Sequence, residues 1–172
     1  MNRPGKVYWI TGLSGSGKTT IGRLLYARLR AHHEAVVFLD GDTLREVFGH
    51  DLGYSVEDRR ISAMRNARMC QMLALQGIDV VCATISMFDS CRAWNKANIL
   101  HYYEIYLRVS ISKLIMRNQK GLYTKALNGQ ALDVVGMNSD YEEPYESNLV
   151  FDNEGLLSPE DIVEEILSLD LY

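Results

Sequence analysis

Several structural and functional classes are ruled out by what this chain of 172 residues has little of. Its three cysteines, Cys70, Cys82 and Cys91, are odd in number and lack Cys-x-x-Cys or metal-ligand spacing. That excludes a disulfide framework or a zinc module and predicts unpaired thiols, buried as small apolar side chains, in a reducing compartment. Cationic excess is missing as well: 18 Lys and Arg stand against 22 Asp and Glu, for a formal charge of −4 and a pI of about 5.6. Duplex nucleic acid normally calls for a basic face, so no nucleic acid polymer is expected as a partner. No apolar run approaches membrane-spanning length, and Met1-Asn2-Arg3-Pro4-Gly5 leads into a strand too short and too polar-flanked for a signal peptide. No membrane association is expected, and the cytoplasm is the expected location. Repeats, low-complexity tracts and linkers are also absent, so residues 1–172 are read as a single domain, long enough to bury a sizeable core.

What is present begins with Gly12-Leu13-Ser14-Gly15-Ser16-Gly17-Lys18-Thr19, a complete G-x-x-x-x-G-K-[ST] loop that follows the apolar run Val7-Tyr8-Trp9-Ile10. Its glycines let the backbone wrap closely around phosphates, so that consecutive N–H groups and the next helix N-terminus point at the anion. Lys18 is expected to reach the β- and γ-phosphates of ATP, and Thr19 to ligate Mg²⁺. Apolar runs without polar alternation predict strands at 6–11, 35–40, 78–86, 103–109 and 148–152. Helical patterns fill the gaps: one over about 18–31, one from the capping residue Ser55 to near Gly77, and one from Ser158 with Pro159 in its first turn. This alternation predicts a doubly wound, mostly parallel α/β sheet with flanking helices, binding its ligands at the carboxyl ends of the strands.

Two further segments carry candidate chemistry. Asp40-Gly41-Asp42 sits at the carboxyl end of the second predicted strand, where two carboxylates can hold Mg²⁺ and accept the proton of an attacking hydroxyl. A plain Asp-Gly-Asp turn with solvated carboxylates is the alternative. The stretch Arg117-Asn118-Gln119-Lys120-Gly121-Leu122-Tyr123-Thr124-Lys125 opens a lid-like region over 117–138, in which Arg117 and Lys120 are the candidates to close on a transferring phosphoryl group. A solvated helical face is the alternative there. Asn95-Lys96-Ala97-Asn98 imitates the guanine-specifying N-K-x-D of switch GTPases, but it ends in Asn and is read as a polar helix turn.

Read in order, these pieces resemble the adenylylsulfate (APS) kinases, small P-loop kinases that phosphorylate the 3′-hydroxyl of adenosine 5′-phosphosulfate. The resemblance rests on Gly12 to Thr20, on Leu39-Asp40-Gly41-Asp42-Thr43-Leu44-Arg45, and on Asp51-Leu52-Gly53-Tyr54-Ser55-Val56-Glu57-Asp58-Arg59. It continues through Ile85-Ser86, Lys120-Gly121-Leu122-Tyr123 and Asp140-Tyr141-Glu142-Glu143-Pro144. It implies that Gly12, Leu13, Ser14, Gly15, Ser16, Gly17, Lys18, Thr19 and Thr20, with Arg117, serve ATP. It places Thr19 and Asp40 beside Mg²⁺ and counts Lys18, Asp40 and Asp42 as the catalytic set, without settling which aspartate aligns the hydroxyl. Arg45 and Arg59 take the acceptor's phosphate, Tyr54 matches a family Phe that packs on the acceptor base, and Ser62, Ile85, Ser86, Lys120, Leu132 and Val134 complete the acceptor side. Ser86 matches a serine that some members carry as phosphoserine, and a homodimer is the implied assembly.

The departures fall on the acceptor side. A helix position that is typically Asn is Ser62, and the Arg pair that follows is reduced to Met64 and Arg65. Where the family typically has Lys-Gly-Phe-Thr-Gly-Ile-Asp, this chain has Leu132-Asp133-Val134-Val135-Gly136-Met137-Asn138, so the second aromatic face for adenine becomes Val134. Two acceptors remain open: adenosine 5′-phosphosulfate, the family default, and cytidine diphosphoramidate, the substrate of related kinases of capsule biosynthesis, whose smaller base needs less stacking area. A non-catalytic ATP-binding module would not need the paired aspartates, two acceptor arginines and a lid.

Overall fold

The computed structural model describes residues 3–169, so Met1 and Asn2 of the N-terminal stretch considered above lie outside the described residues. Five strands form one all-parallel sheet: β1 (Val7–Thr11), β2 (Val36–Asp40), β3 (Asp79–Ala83), β4 (Tyr102–Arg108) and β5 (Leu149–Asp152), in the order β2-β3-β1-β4-β5. All five predicted strands are present. Seven helices connect them among the described residues: α1 (Lys18–Arg30), α2 (Gly41–Val47), α3 (Val56–Leu75), α4 (Asp89–Asn98), α5 (Ile111–Arg117), α6 (Leu122–Leu127) and α7 (Pro159–Ser168).

Strand alternation divides the core into two layers. Tyr8 and Ile10 of β1 face α1 and α7, packing with Ile21, Leu25, Leu29, Ile105, Phe151, Ile162 and Ile166. Val7 and Trp9 face the other way, against Ala63, Ala67, Cys70 and Ala74 of α3 and Cys91 of α4. A central parallel strand covered on both faces has no solvent side, which is why β1 reads as a continuous apolar run. All three cysteines are unpaired and buried within this second layer.

The helix starts follow from local capping. Ser55 Oγ accepts from the Asp58 amide, and Ser158 and Asp161 form a reciprocal capping box ahead of Pro159 in the first turn. The third predicted strand is cut short, ending at Ala83 instead of reaching residue 86. Ala83 pairs with Ile10 and with Asp40, the last residue of β2; the Thr84 amide still donates to the Ile10 carbonyl at 3.1 Å, and beyond it no further pairing extends the strand. The Asn95-to-Asn98 segment lies in α4, as the polar-helix reading requires.

A third apolar cluster gathers Leu13 with Leu114, Tyr123, Val134 and Val135. It ties the phosphate loop to residues 114–135. No helix among the described residues is long and apolar enough to cross a membrane.

Candidate active site

The carboxyl ends of β1, β2 and β3 open into one cleft of about 1130 Å³, large enough to hold two nucleotides side by side. The loop between β1 and α1 forms one wall. Gly12 has φ 150, and a Cβ there would lie 2.5 Å from the Leu107 carbonyl and 2.6 Å from Ser16 Oγ, so only glycine fits. The loop carbonyls are pinned from outside. Tyr123 donates its hydroxyl to the Ser14 carbonyl at 2.7 Å, Arg117 Nη1 donates to Gly15 at 3.1 Å, and Asn153 Nδ2 donates to Ser16 at 2.8 Å. Arg117 Nη2 also reaches the Asn153 carbonyl at 2.6 Å. With three successive carbonyls held outward, the loop's N–H face and the start of α1 are left for an anion.

Lys18 Nζ donates to the Leu13 carbonyl at 2.7 Å. Burial pushes its pKa down to about 8, against the pull of Asp42 and Asp40. Thr19 Oγ1 donates to Asp40 Oδ2 at 2.7 Å, and the other Asp40 oxygen accepts the Asp42 amide at 3.0 Å, capping α2. The Asp-Gly-Asp segment is therefore a helix start and not a free turn. Asp42 faces away from Thr19 and accepts from Lys120 Nζ at 2.8 Å, an exposed pair that spans the cleft and raises the Lys120 pKa.

Arg45, Tyr54, Arg59 and Ser62 line the opposite wall. Arg45 donates to the Leu52 and Gly53 carbonyls at 3.1 and 3.0 Å, and its guanidinium sits 4.5 Å from the Tyr54 ring centroid. Arg59 Nε donates to the Tyr54 carbonyl and Nη2 to the Asp133 carbonyl, both at 2.9 Å, with its guanidinium 5.3 Å from the same ring. Burial, and next the charge of Arg45, hold the Arg59 pKa below its usual value, a tension that an anionic ligand would relieve. Tyr54 is 57 % exposed and is the one aromatic among the described residues lining the cleft.

Most of the sequence-predicted residues meet in this cleft: Ser14, Gly15, Gly17, Lys18, Thr19, Thr20, Asp40, Asp42, Arg45, Tyr54, Arg59, Ser62, Ile85, Arg117, Lys120, Leu132 and Val134. Leu132 is 75 % exposed at the rim, whereas Val134 is 3 % exposed, rooted in the third apolar cluster. Gly12, Leu13 and Ser16 shape the loop from behind and do not line the cleft. Nor does Ser86, which is 0 % exposed with its Oγ 3.3 Å from Thr84 Oγ1; Thr84 reaches the cleft surface in its place. Residues not foreseen are Thr84, Tyr123 as a loop clamp, Asp133 and Asn153. The one local signal for Asn153 was its place directly after the last predicted strand.

A profile of the adenylylsulphate kinase family matches residues 4–152. The chain is 42 % identical over 161 residues to the cytidine diphosphoramidate kinase of Campylobacter jejuni, covering 94 % of each chain. It is 38 % identical over 148 residues to the adenylyl-sulfate kinase of Pseudomonas aeruginosa, covering 85 % of this chain and 76 % of that one. Among solved structures, it superposes with a TM-score of 0.89 on the Mycobacterium tuberculosis APS kinase CysC in complex with AMPPNP and APS, at 31 % identity and covering 98 % and 99 % of the two chains.

Proposed function

Because the chain belongs to the adenylylsulphate kinase family, and is thus a phosphotransferase acting on a hydroxyl group, we propose that it transfers the γ-phosphoryl group of ATP to the 3′-hydroxyl of a cytidine nucleotide of the diphosphoramidate type. The observation that carries the choice of acceptor is the aromatic content of the cleft: among the described residues lining it Tyr54 has no aromatic counterpart, and Val134, which stands where the family resemblance implies a second ring, is aliphatic and nearly buried. An aromatic face contributes on the order of 1–3 kcal/mol per base. A pyrimidine loses less by its absence than adenine does. Adenosine 5′-phosphosulfate is the second reading, favoured by the superposition on an enzyme solved with APS.

The loop amides and Lys18 hold the donor phosphates. Thr19 Oγ1 and Asp40 Oδ2 are hard oxygen donors that converge beside Lys18, a set that fits Mg²⁺, which prefers one or two protein oxygens together with substrate phosphates. Held by Thr19 and Asp40, Mg²⁺ would supply charge neutralisation for the transferring phosphoryl group. Arg45 and Arg59 anchor the acceptor's 5′-phosphate and Tyr54 stacks on its base, which brings the 3′-hydroxyl to Asp42. The O3′–Pγ bond forms as the bond from Pγ to the β,γ-bridging oxygen breaks; ADP leaves, and Asp42 takes the hydroxyl proton. Lys120 gives up its pairing with Asp42 as the acceptor enters and turns to the phosphoryl oxygens. An exposed pair contributes only roughly 0–1 kcal/mol, so this release is easy. Placement and charge supply most of the acceleration. We place the enzyme in the cytoplasm, as a homodimer.

The test is kcat/KM for cytidine diphosphoramidate and for adenosine 5′-phosphosulfate, with ATP and Mg²⁺ saturating. The proposal predicts a ratio of at least about tenfold in favour of the cytidine acceptor, as expected for about 1.4 kcal/mol of differential stacking. A ratio favouring the adenine acceptor selects the second reading.

A further inference from the structure

Beside the proposed base platform, a turn that glycine would occupy without strain carries a carboxylate. Asp133 has φ 59, a left-handed conformation that a side chain normally avoids and that Asp tolerates better than most. Strain of this kind persists where the surroundings hold it in place, and it clusters at ligand sites. Here the surroundings are explicit. The next residue, Val134, is buried, and its amide donates to Asn138 Oδ1 at 2.7 Å, while Asn138 Nδ2 reaches back to the Ala131 carbonyl at 3.0 Å. The Met137 and Asn138 amides close on the Val134 carbonyl, and Arg59 Nη2 holds the Asp133 carbonyl.

The Asp133 main chain is therefore fixed on both sides, while its carboxylate touches Arg59 through charge alone and keeps its hydrogen-bonding capacity. That carboxylate makes no hydrogen bond or ion pair to any described residue, and Asp133 lines the cleft. Arg59 fixes its distance from the platform, because one guanidinium grips both the Tyr54 and the Asp133 carbonyls and lies against the Tyr54 ring. Tyr54 and Asp133 thus lie on either side of one guanidinium and both line the cleft, so a base stacked on Tyr54 would have Asp133 as a neighbour. An ionised carboxylate can only accept hydrogen bonds, so at the edge of such a base it selects an exocyclic amine and repels a keto oxygen.

We propose that Asp133 is a specificity residue of the acceptor site, accepting the exocyclic amine of the base and excluding the corresponding keto base. The inference rests on Tyr54 being the base platform, as in the function proposed above, but not on which amino base is bound. Cytosine and adenine both present such an amine, whereas uracil and hypoxanthine present oxygen at the same place.

The experiment is calorimetric binding to the full chain with excess AMPPNP and Mg²⁺ filling the donor site, using CDP against UDP and ADP against IDP as acceptor-site probes. The wild-type chain should bind the amino member of the preferred pair at least about tenfold more tightly than its keto partner. Asp133→Gly, which relaxes the backbone, and Asp133→Asn, whose amide can donate or accept, should each bring that ratio close to one with AMPPNP binding unchanged. A ratio kept by Asp133→Gly, with AMPPNP still bound normally, would overturn the role of Asp133 and leave the function proposal standing. If none of the four diphosphates binds beside AMPPNP, the acceptor-site reading itself falls, and the inference falls with it.

Discussion

Lys18 shows how the ligand-free cleft is poised at the scale of one residue. Burial draws its pKa down to about 8, so its ammonium is about half deprotonated at that pH. Donor phosphates would raise the pKa again, so binding ATP takes up a proton above about pH 8. The Kd for ATP should then be flat below about pH 7 and weaken as pH rises through 8 and beyond, with proton uptake visible as a buffer-dependent calorimetric enthalpy. An ATP affinity unchanged from pH 7 to 9.5 would contradict this. Asp40 and Asp42 divide the remaining work. Sequence spacing left the two aspartates equivalent, whereas their contacts separate them: Asp40 faces Thr19, and Asp42 faces Lys120. Asp42→Asn should lower kcat by about 10²–10⁴-fold, the usual range for a positioned acid or base, with KM for ATP nearly unchanged. Asp40→Asn should also lower kcat, and in addition raise the Mg²⁺ concentration needed for half-maximal rate. Equal Mg²⁺ dependence in the two variants would remove the division of roles.

Elements explain what the sequence made legible and what it hid. β1, the phosphate loop and α1 were readable because each signal is local: an apolar run, fixed glycine spacing, and helical periodicity. α2 was hidden, since seven residues opening on Gly41 and Asp42 look like a turn until Asp40 is seen to cap them. The clamp on the phosphate loop was hidden for another reason. Tyr123 and Asn153 lie 109 and 137 residues from the carbonyls they hold, so no spacing pattern could connect them. Ser86, assigned to the acceptor side by resemblance, is buried beyond the end of β3 at Ala83, with its hydroxyl beside Thr84. The clamp makes its own prediction. Arg117→Ala removes one hydrogen bond to the loop carbonyl of Gly15 and one to the carbonyl of Asn153, which itself holds Ser16, so KM for ATP should rise by roughly 10- to 100-fold, matching about 1.5–3 kcal/mol for bonds from a charged donor. The melting temperature without nucleotide should shift little, because Arg117 contributes no part of the main core layers. A large loss of melting temperature with normal KM would make Arg117 a residue of the fold alone.

Across the whole molecule, the parallel sheet brings the ends of three strands to one place. β1 delivers the donor loop, β2 the two aspartates and β3 Thr84, while α3 and the segment 117–138 face them with Arg59, Lys120 and Val134. The donor half follows the family pattern closely, and the departures collect on the acceptor half. In the proposed function, such a chain uses ATP as donor, and its acceptor side selects what it phosphorylates. The central claim is that the new phosphate lands on a ribose 3′-hydroxyl, and one measurement addresses it directly: ¹H–³¹P correlation NMR of the product made from ATP, Mg²⁺ and cytidine diphosphoramidate. One new phosphomonoester coupled to H3′, with stoichiometric ADP, is the expected result. Release of inorganic phosphate without a new H3′ correlation, from this acceptor and from adenosine 5′-phosphosulfate alike, would contradict it.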